Sequence, residues 1–366
     1  MAGMTAERMP WWAWVWPLLA LVVLAVALAG VGGGALTAAA AVVLVAAVFA
    51  AVYHAEVVAH RVGEPFGTLV LALAVTVIEV ALIVSVMAGG GPDTAALARD
   101  TVFAAVMIIL NGLVGLSLLL GGVLHREQEF QARSASAALA VLAAMVTLSL
   151  VLPNFTTSAP GPVFTDSQLV FAGTVSLVLY GAFVFVQTVR HRDYFLPSAD
   201  PILAADEEAH APPPPNAVAL ASLGLLLVSL VAVVGLAKAL TPALEAGVAW
   251  LAVPKTVVGI VIAALVLLPE AVAVLRAARL NRLQTSMNLA LGSALASIGL
   301  TIPAVAAVSV VIDQPLALGL GPKEEVLLAL TLLVAVITLG TGRTTVLQGV
   351  VHLVILAAFL FLAVVP

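Results

Sequence analysis

Eleven predominantly apolar stretches recur along the chain, separated by short polar segments that hold nearly all of its charge. Their approximate extents are 11 to 30, 35 to 54, 67 to 88, 101 to 122, 135 to 153, 168 to 189, 217 to 238, 254 to 275, 285 to 311, 326 to 341 and 344 to 364. Most reach the roughly 20 residues that a helix needs to cross a bilayer. The runs are continuously apolar and lack the alternation of a barrel strand, so the pattern predicts helices. The first run follows Arg8 and resembles a secretory signal in outline, but Trp11, Trp12, Trp14 and Trp16 suit an interfacial belt of a retained span.

Composition sharpens this picture. Hydrophobic residues make up 63% of the 366 and charged residues only 9%, which excludes a water-soluble domain. The formal net charge of -5 offers no basic surface for nucleic acid, and the absence of Cys excludes disulfides and thiolate chemistry. Charge also predicts orientation. Arg8, Arg61, Arg126, Arg133, Arg190, Arg192, Arg276, Arg279, Arg282 and Arg343 share one side, against Arg99, Lys238, Lys255 and Lys323 on the other. By the positive-inside rule the N-terminus is cytoplasmic and, after eleven spans, the C-terminus is external.

The polar stretch 190–216, with Asp193, Asp200, Asp206, Glu207, Glu208, His210 and the run Pro212 to Pro215, reads as a cytoplasmic linker dividing the chain in two. The expected organisation is an extra N-terminal helix (1–34), a first five-helix repeat (35–189), the linker, and a second five-helix repeat (217–366). An odd number of spans in each half makes the repeats face opposite ways, the inverted plan of many transporters. The fold expectation is therefore an all-α integral membrane protein with about eleven transmembrane helices.

Two acidic residues fall deep inside apolar runs, Glu79 and Glu270. Ionisable groups at membrane depth are costly and mark candidate sites. Each lies in the second helix of its repeat, and that matched placement is the strongest functional signal in the chain. Neutral ligands are at hand nearby. Asn288, Gly292, Ala296 and Gly299 share one helical face beside Ser293 and Ser297, and Asn111, Gly112 and Gly115 form the first-half counterpart. The glycines also read as plain helix packing. Pro269 before Glu270, Pro303 after Gly299, and Gly63, Pro65 and Gly67 ahead of the third run predict interrupted helices that free backbone carbonyls. Carboxylate, amide and carbonyl oxygens suit a hard cation such as Ca²⁺, or Na⁺ with fewer charges.

Several of these stretches together resemble the ChaA-type calcium/proton antiporters of the cation exchanger superfamily. The first repeat is similar in Gly63-Glu64-Pro65-Phe66-Gly67-Thr68-Leu69, Val77-Ile78-Glu79-Val80, Leu97 to Thr101, Gly112 to Gly115 and Leu118 to Gly122. The second is similar in Pro269-Glu270, Met287-Asn288-Leu289, Gly292-Ser293 and Leu300 to Pro303, with Thr341 to Leu347 and His352-Leu353 near the C-terminus. The resemblance implies cation/proton exchange in a bacterial inner membrane, with Glu79 and Glu270 holding the ion and protons in turn. One departure concerns selectivity. The wider superfamily often has a G-N-x-x-E pattern at the buried acid, where this chain has Val75-Thr76 and Val266-Leu267 in place of Gly-Asn.

No resident cofactor is expected, since the metal in this reading is cargo: Ca²⁺ and H⁺, or Na⁺ or K⁺. The expected partners are membrane lipid, inorganic cations and protons. Rival readings are a sodium or potassium/proton antiporter, a passive channel, and a membrane metalloenzyme built on His54, Glu56 and His60, whose spacing differs from the H-E-x-x-H zinc motif. His352, inside the last run, reads either as a proton relay or as a hydrogen-bonded packing residue.

Overall fold

The computed structural model describes residues 9–30, 32–63, 66–87, 95–195, 213–251, 254–312 and 316–365. Each of the eleven apolar runs coincides with a helix or a bent helix pair. In chain order these are α1 (Trp11–Leu28), α2 (Gly34–Val62), α3 (Phe66–Met87), α4 (Leu97–Met107), α5 (Val114–His125), α6 (Ala132–Val146) and α7 (Asp166–Phe185). There follow α8 (Asn216–Trp250), α9 (Thr256–Val266), α10 (Leu268–Arg279), α11 (Leu283–Ile312), α12 (Pro322–Leu339) and α13 (Val346–Val364). A π-helical turn, Ile108–Leu113, joins α4 to α5 into one path of membrane length, Leu97–His125. Among the described residues, eight such paths meet the length and hydropathy of a membrane span, and the bent pair of α9 and α10 supplies a ninth. An all-α membrane protein is what the hydropathy pattern requires, because only helices and closed barrels satisfy every backbone group inside lipid.

Local chemistry sets the helix ends. Thr165 opens α7 and Thr345 opens α13 through capping boxes with Gln168 and Gln348. Pro322 begins α12 with Glu324 and Glu325 in its first turn, where carboxylates complement the helix dipole. Gly63 closes α2 at φ 76°, a conformation that a side chain resists. Glu64, Pro65 and most of the linker, 196–212, lie outside the described residues.

The chain forms two compact units, and each draws on both halves of the sequence: Met1–Val86 with Ala199–Gly247, and Met87–Ser198 with Val248–Pro366. In the first, α1 packs along α2. His54 joins them by a hydrogen bond between its Nε2 and the Ala13 carbonyl (2.9 Å), beside an edge-on Trp12–Tyr53 pair. Gly235 of α8 accepts the Leu24 side chain so closely that an added Cβ would stand 2.5 Å from it.

In the second unit, α4 packs on α9, α7 on α11, and α5 on both α10 and α13. Loops lace its two ends. At one end the strands β1 (Gln128–Glu129) and β2 (Arg343–Thr344) pair antiparallel. There Gln128 donates to Asn281 Oδ1 (2.7 Å), and Gln131 N–H donates to Gln284 (2.6 Å). At the other end Arg99 bonds the Gly319 carbonyl (3.0 Å) and pairs with Asp100 (2.8 Å), while Asn154 bonds Glu325 (2.7 Å). Arg99, Gly319, Asn154 and Glu325 rim a recess of about 580 Å³ that also includes Phe155, Gly161 and Pro322.

Candidate functional site

In the first unit, α3 turns one face inward. Ala74, Thr76, Ile78, Glu79, Leu82 and Ile83 are buried, while Leu73 and Val77 are exposed. Glu79 is only 3% exposed, so its side chain is enclosed by protein. Thr76, one turn earlier, is buried as well and puts a hydroxyl where the superfamily pattern has an amide. Val77, on the other face, borders an apolar recess of about 870 Å³ with Leu24, Val234 and Lys238.

In the second unit the site is built around a helix break. The axes of α9 and α10 differ by 56° across Leu267. Pro269, at the start of α10, has no N–H to return to the preceding turn, and this is the interruption that the sequence predicted. Glu270 follows in the first turn of α10. The unsatisfied N–H groups and positive dipole end of a helix favour a carboxylate there. A three-way contact holds the segment in place. Ser286 of α11 hydrogen-bonds Ser117 of α5 (3.0 Å) and the Val274 carbonyl of α10 (3.0 Å), with both serines fully buried.

The π-helical turn carries Asn111, and α10 packs against this turn too. Asn111 Nδ2 donates to Thr331 Oγ1 of α12 at 2.9 Å and lies 3.8 Å from Met107 Sδ. Its Oδ1 faces His352 Nδ1 of α13 at 3.3 Å. Thr331 Oγ1 in turn donates to Met107 Sδ at 3.4 Å. Asn111, Thr331 and His352 are all 0% exposed. Glycines make this convergence possible. An added Cβ at Gly115 would stand 2.9 Å from His352 Cβ, and one at Gly349 would stand 2.8 Å from the Gly115 carbonyl. Only backbones without side chains there let α5 and α13 approach so closely.

Asn288 is placed differently. Its Oδ1 accepts from Gln284 (2.9 Å) and its Nδ2 donates to the Phe195 carbonyl, so both ends of the amide are engaged near a loop. Asn111 and Asn288 thus share no partner, and half-buried Ser293 joins neither set of bonds. Gly299 is a packing position, since a Cβ there would lie 2.6 Å from that of Tyr180 on α7. His54, the first residue of the metalloenzyme reading, spends its Nε2 on the α1 backbone. Among the described residues, no three His, Cys, Asp or Glu side chains lie together as a metal site would need. The sequence reading passed over Thr331 and Met107. The only signal for Thr331 was a hydroxyl in the middle of the apolar run Leu327 to Val336.

Comparison with known proteins agrees with this architecture. The profile of the family described as sodium/calcium exchanger protein matches twice, over residues 32–189 and 221–365. The putative ionic transporter y4hA of Sinorhizobium fredii is 53% identical over 99% of this chain and 98% of its own length. The sodium-potassium/proton antiporter ChaA of Escherichia coli is 35% identical over 87% of this chain and 85% of its own. Among solved structures, native YfkE superposes with a TM-score of 0.72 at 16% identity, covering 96% of this chain and all of that one. The H⁺/Ca²⁺ exchanger CAX gives 0.70 at 14%, covering 95% of this chain and 87% of its own. A profile that matches both halves in order, and relatives alike along nearly the whole length, make this chain a member of the sodium/calcium exchanger protein family and an integral membrane cation exchanger.

Proposed function

We propose that the protein exchanges Ca²⁺ for protons across a bacterial inner membrane by alternating access, with Glu79 and Glu270 as the carboxylates that hold either the cation or the protons. One observation carries the reading. An acid inside an apolar run recurs in each of the two segments matched by the same family profile, at nearly the same distance from their starts at residues 32 and 221. Two unrelated structural carboxylates have no reason to fall at equivalent positions of a repeat. Paired carboxylates supply the charge that a divalent ion prefers, and the helix break at Pro269 adds dipole and backbone groups at the second acid. Cation and protons then compete for the same oxygens, so coupling needs no separate proton channel. The surplus of Lys and Arg on one side favours a cytoplasmic N-terminus and an external C-terminus.

A monovalent reading has its own support. The Escherichia coli relative named as a sodium-potassium/proton antiporter is 35% identical over most of the chain, and the amide of the G-N-x-x-E pattern is absent in both halves. The test is proton flux in proteoliposomes under an imposed pH gradient, with Ca²⁺, Na⁺ and K⁺ added separately. Glu79→Gln and Glu270→Gln keep volume and hydrogen-bonding capacity while removing the charge, and each is expected to abolish the coupled flux with normal insertion. Exchange at the wild-type rate in either variant refutes the assignment, and a response to Na⁺ or K⁺ alone selects the monovalent reading. Cation flux without proton movement selects the channel.

A further inference from the structure

The apolar recess of the first unit has the depth of one membrane leaflet. It lies among α1, α2, α3 and α8 and holds about 870 Å³, within the range of sites that take small ligands. Leu28, Leu36, Ala40, Val77, Leu230 and Val234 are among its walls. Along α8 it runs from Leu230 to Leu240, a rise of about 15 Å. That is half of a hydrocarbon core roughly 30 Å thick. The two ends of the recess differ. Val77, at one end, sits midway along α3 (Phe66–Met87). At the other, Gly32 and Gly33 of the α1–α2 turn meet Lys238 of α8.

Of the described residues that line the recess, Lys238 alone is charged, and no acid among the described residues pairs with it. The same end holds the start of α2, which has no side-chain cap, so its free N–H groups and positive dipole end add to the field of the ammonium. Nothing lies within 4 Å of a Cβ built on Gly32, Gly33 or Gly34, so this backbone stands bare beside the recess.

We propose that the recess binds a single phospholipid, with an acyl chain laid along α8 toward Val77 and the phosphate on Lys238. The two parts of the ligand match the two parts of the site. An acyl chain fills an apolar slot one leaflet deep, and its phosphate stands at the end of that leaflet, at the height of the ammonium. With the cytoplasmic N-terminus proposed above, α1 and α8 both run outward and the leaflet is the outer one. A helix from a second copy of this chain fits less well. It would bury the ammonium against apolar side chains without an anion, which is costly, whereas a phosphate neutralises it.

The test is native mass spectrometry of the full chain released from detergent micelles, with phosphatidylglycerol or diacylglycerol of the same acyl chains added. The first phosphatidylglycerol is expected to bind at least about fivefold more tightly than diacylglycerol, which lacks the phosphate. Lys238→Gln is expected to weaken phosphatidylglycerol by about fivefold and leave diacylglycerol unchanged. Val231 lines the recess and is 61% exposed, so Val231→Trp fills the slot without disturbing a core and is expected to weaken both lipids. Phosphatidylglycerol that binds wild type and both variants alike overturns the proposal, as does equal binding of the two lipids by wild type. A lipid-free dimer that disappears in Val231→Trp gives the recess to a second copy and overturns it too. Should the variants not insert, acetylation of Lys238 in the wild-type protein decides. Labelling about fivefold slower with phosphatidylglycerol than with diacylglycerol is expected, and equal rates overturn the site.

Discussion

Replacing Asn111 by Leu removes two buried side-chain bonds at nearly constant volume. The amide bridges Thr331 on α12 and His352 on α13, and all three residues are 0% exposed. In water-soluble cores an orphaned buried donor costs about 1–3 kcal/mol, which puts two broken bonds at roughly 2–6 kcal/mol. In a membrane the unfolded reference also finds partners, and interhelical bonds average about 0.6 kcal/mol with a maximum near 1.7. The structure decides between these scales. Thr331 keeps its bond to Met107 and so suffers less, whereas His352 Nδ1 loses its side-chain partner. The expected cost of Asn111→Leu is therefore about 2 kcal/mol.

The assay is reversible unfolding in mixed micelles, followed as a double-mutant cycle with Thr331→Val. Thr331→Val alone leaves Asn111 Nδ2 without its closest acceptor and is expected to cost about 1 kcal/mol. The double variant removes donor and acceptor together, so it is expected to be more stable than the sum of the singles by about 1 kcal/mol. Additivity within about 0.3 kcal/mol, or a single-variant cost below about 0.5 kcal/mol, refutes the network as an energetic unit.

Other expectations follow from the same contacts. Gly115→Val places atoms against His352 Cβ and the Gly349 carbonyl and is expected to destabilise by about 1–3 kcal/mol, measured by the same unfolding assay. Gly292→Ala meets nothing within 4 Å and is expected to be neutral or stabilising by up to about 1 kcal/mol; a large loss would show an unseen partner on that face. Pro269→Ala restores a backbone N–H at the 56° break, and because proline is well tolerated in a first turn the change in stability is expected to stay within about 1 kcal/mol. Transport by this variant is expected to fall all the same, through displacement of Glu270, and an unchanged flux would make the break incidental. If protons and cation share oxygens, the logarithm of Ca²⁺ affinity is expected to rise with pH at a slope approaching about two while both acids titrate; a pH-independent affinity refutes shared occupancy.

What could be read from the sequence was whatever depends on neighbours along the chain. Apolar runs gave the helices, because a bilayer leaves the backbone few alternatives, and Pro269 marked the break beside Glu270. The chemistry of the second unit depends instead on partners far apart in sequence. Asn111 meets Thr331 at a separation of 220 residues and His352 at 241, and no local pattern encodes either meeting. The π-helical turn was equally silent, since Ile108-Ile109-Leu110-Asn111-Gly112-Leu113 reads as ordinary helix. Asn288 is the opposite case. Its helical face with Gly292 was legible, whereas its amide is engaged by Gln284 and the Phe195 carbonyl, which only the folded loop reveals.

The glycines connect these two levels. Along the sequence Gly112, Gly115, Gly121 and Gly122 read as a small-residue stripe, a feature that serves packing in many membrane helices. In the fold, Gly115 abuts His352 and Leu353, Gly112 abuts Leu356, and Gly122 abuts Val346, all on α13. Packing and chemistry are therefore one feature here. Lipid offers helices no hydrophobic reward for associating, so close van der Waals approach has to supply it, and approach this close requires glycine. The same approach brings an imidazole on α13 within 3.3 Å of an amide on the π-helical turn. A side chain at Gly115 would force α5 and α13 apart, and a shift of even 1 Å would stretch that contact beyond hydrogen-bonding distance. The small-residue stripe, which on its own indicates nothing but packing, thereby fixes whether His352 can stay within hydrogen-bonding reach of Asn111.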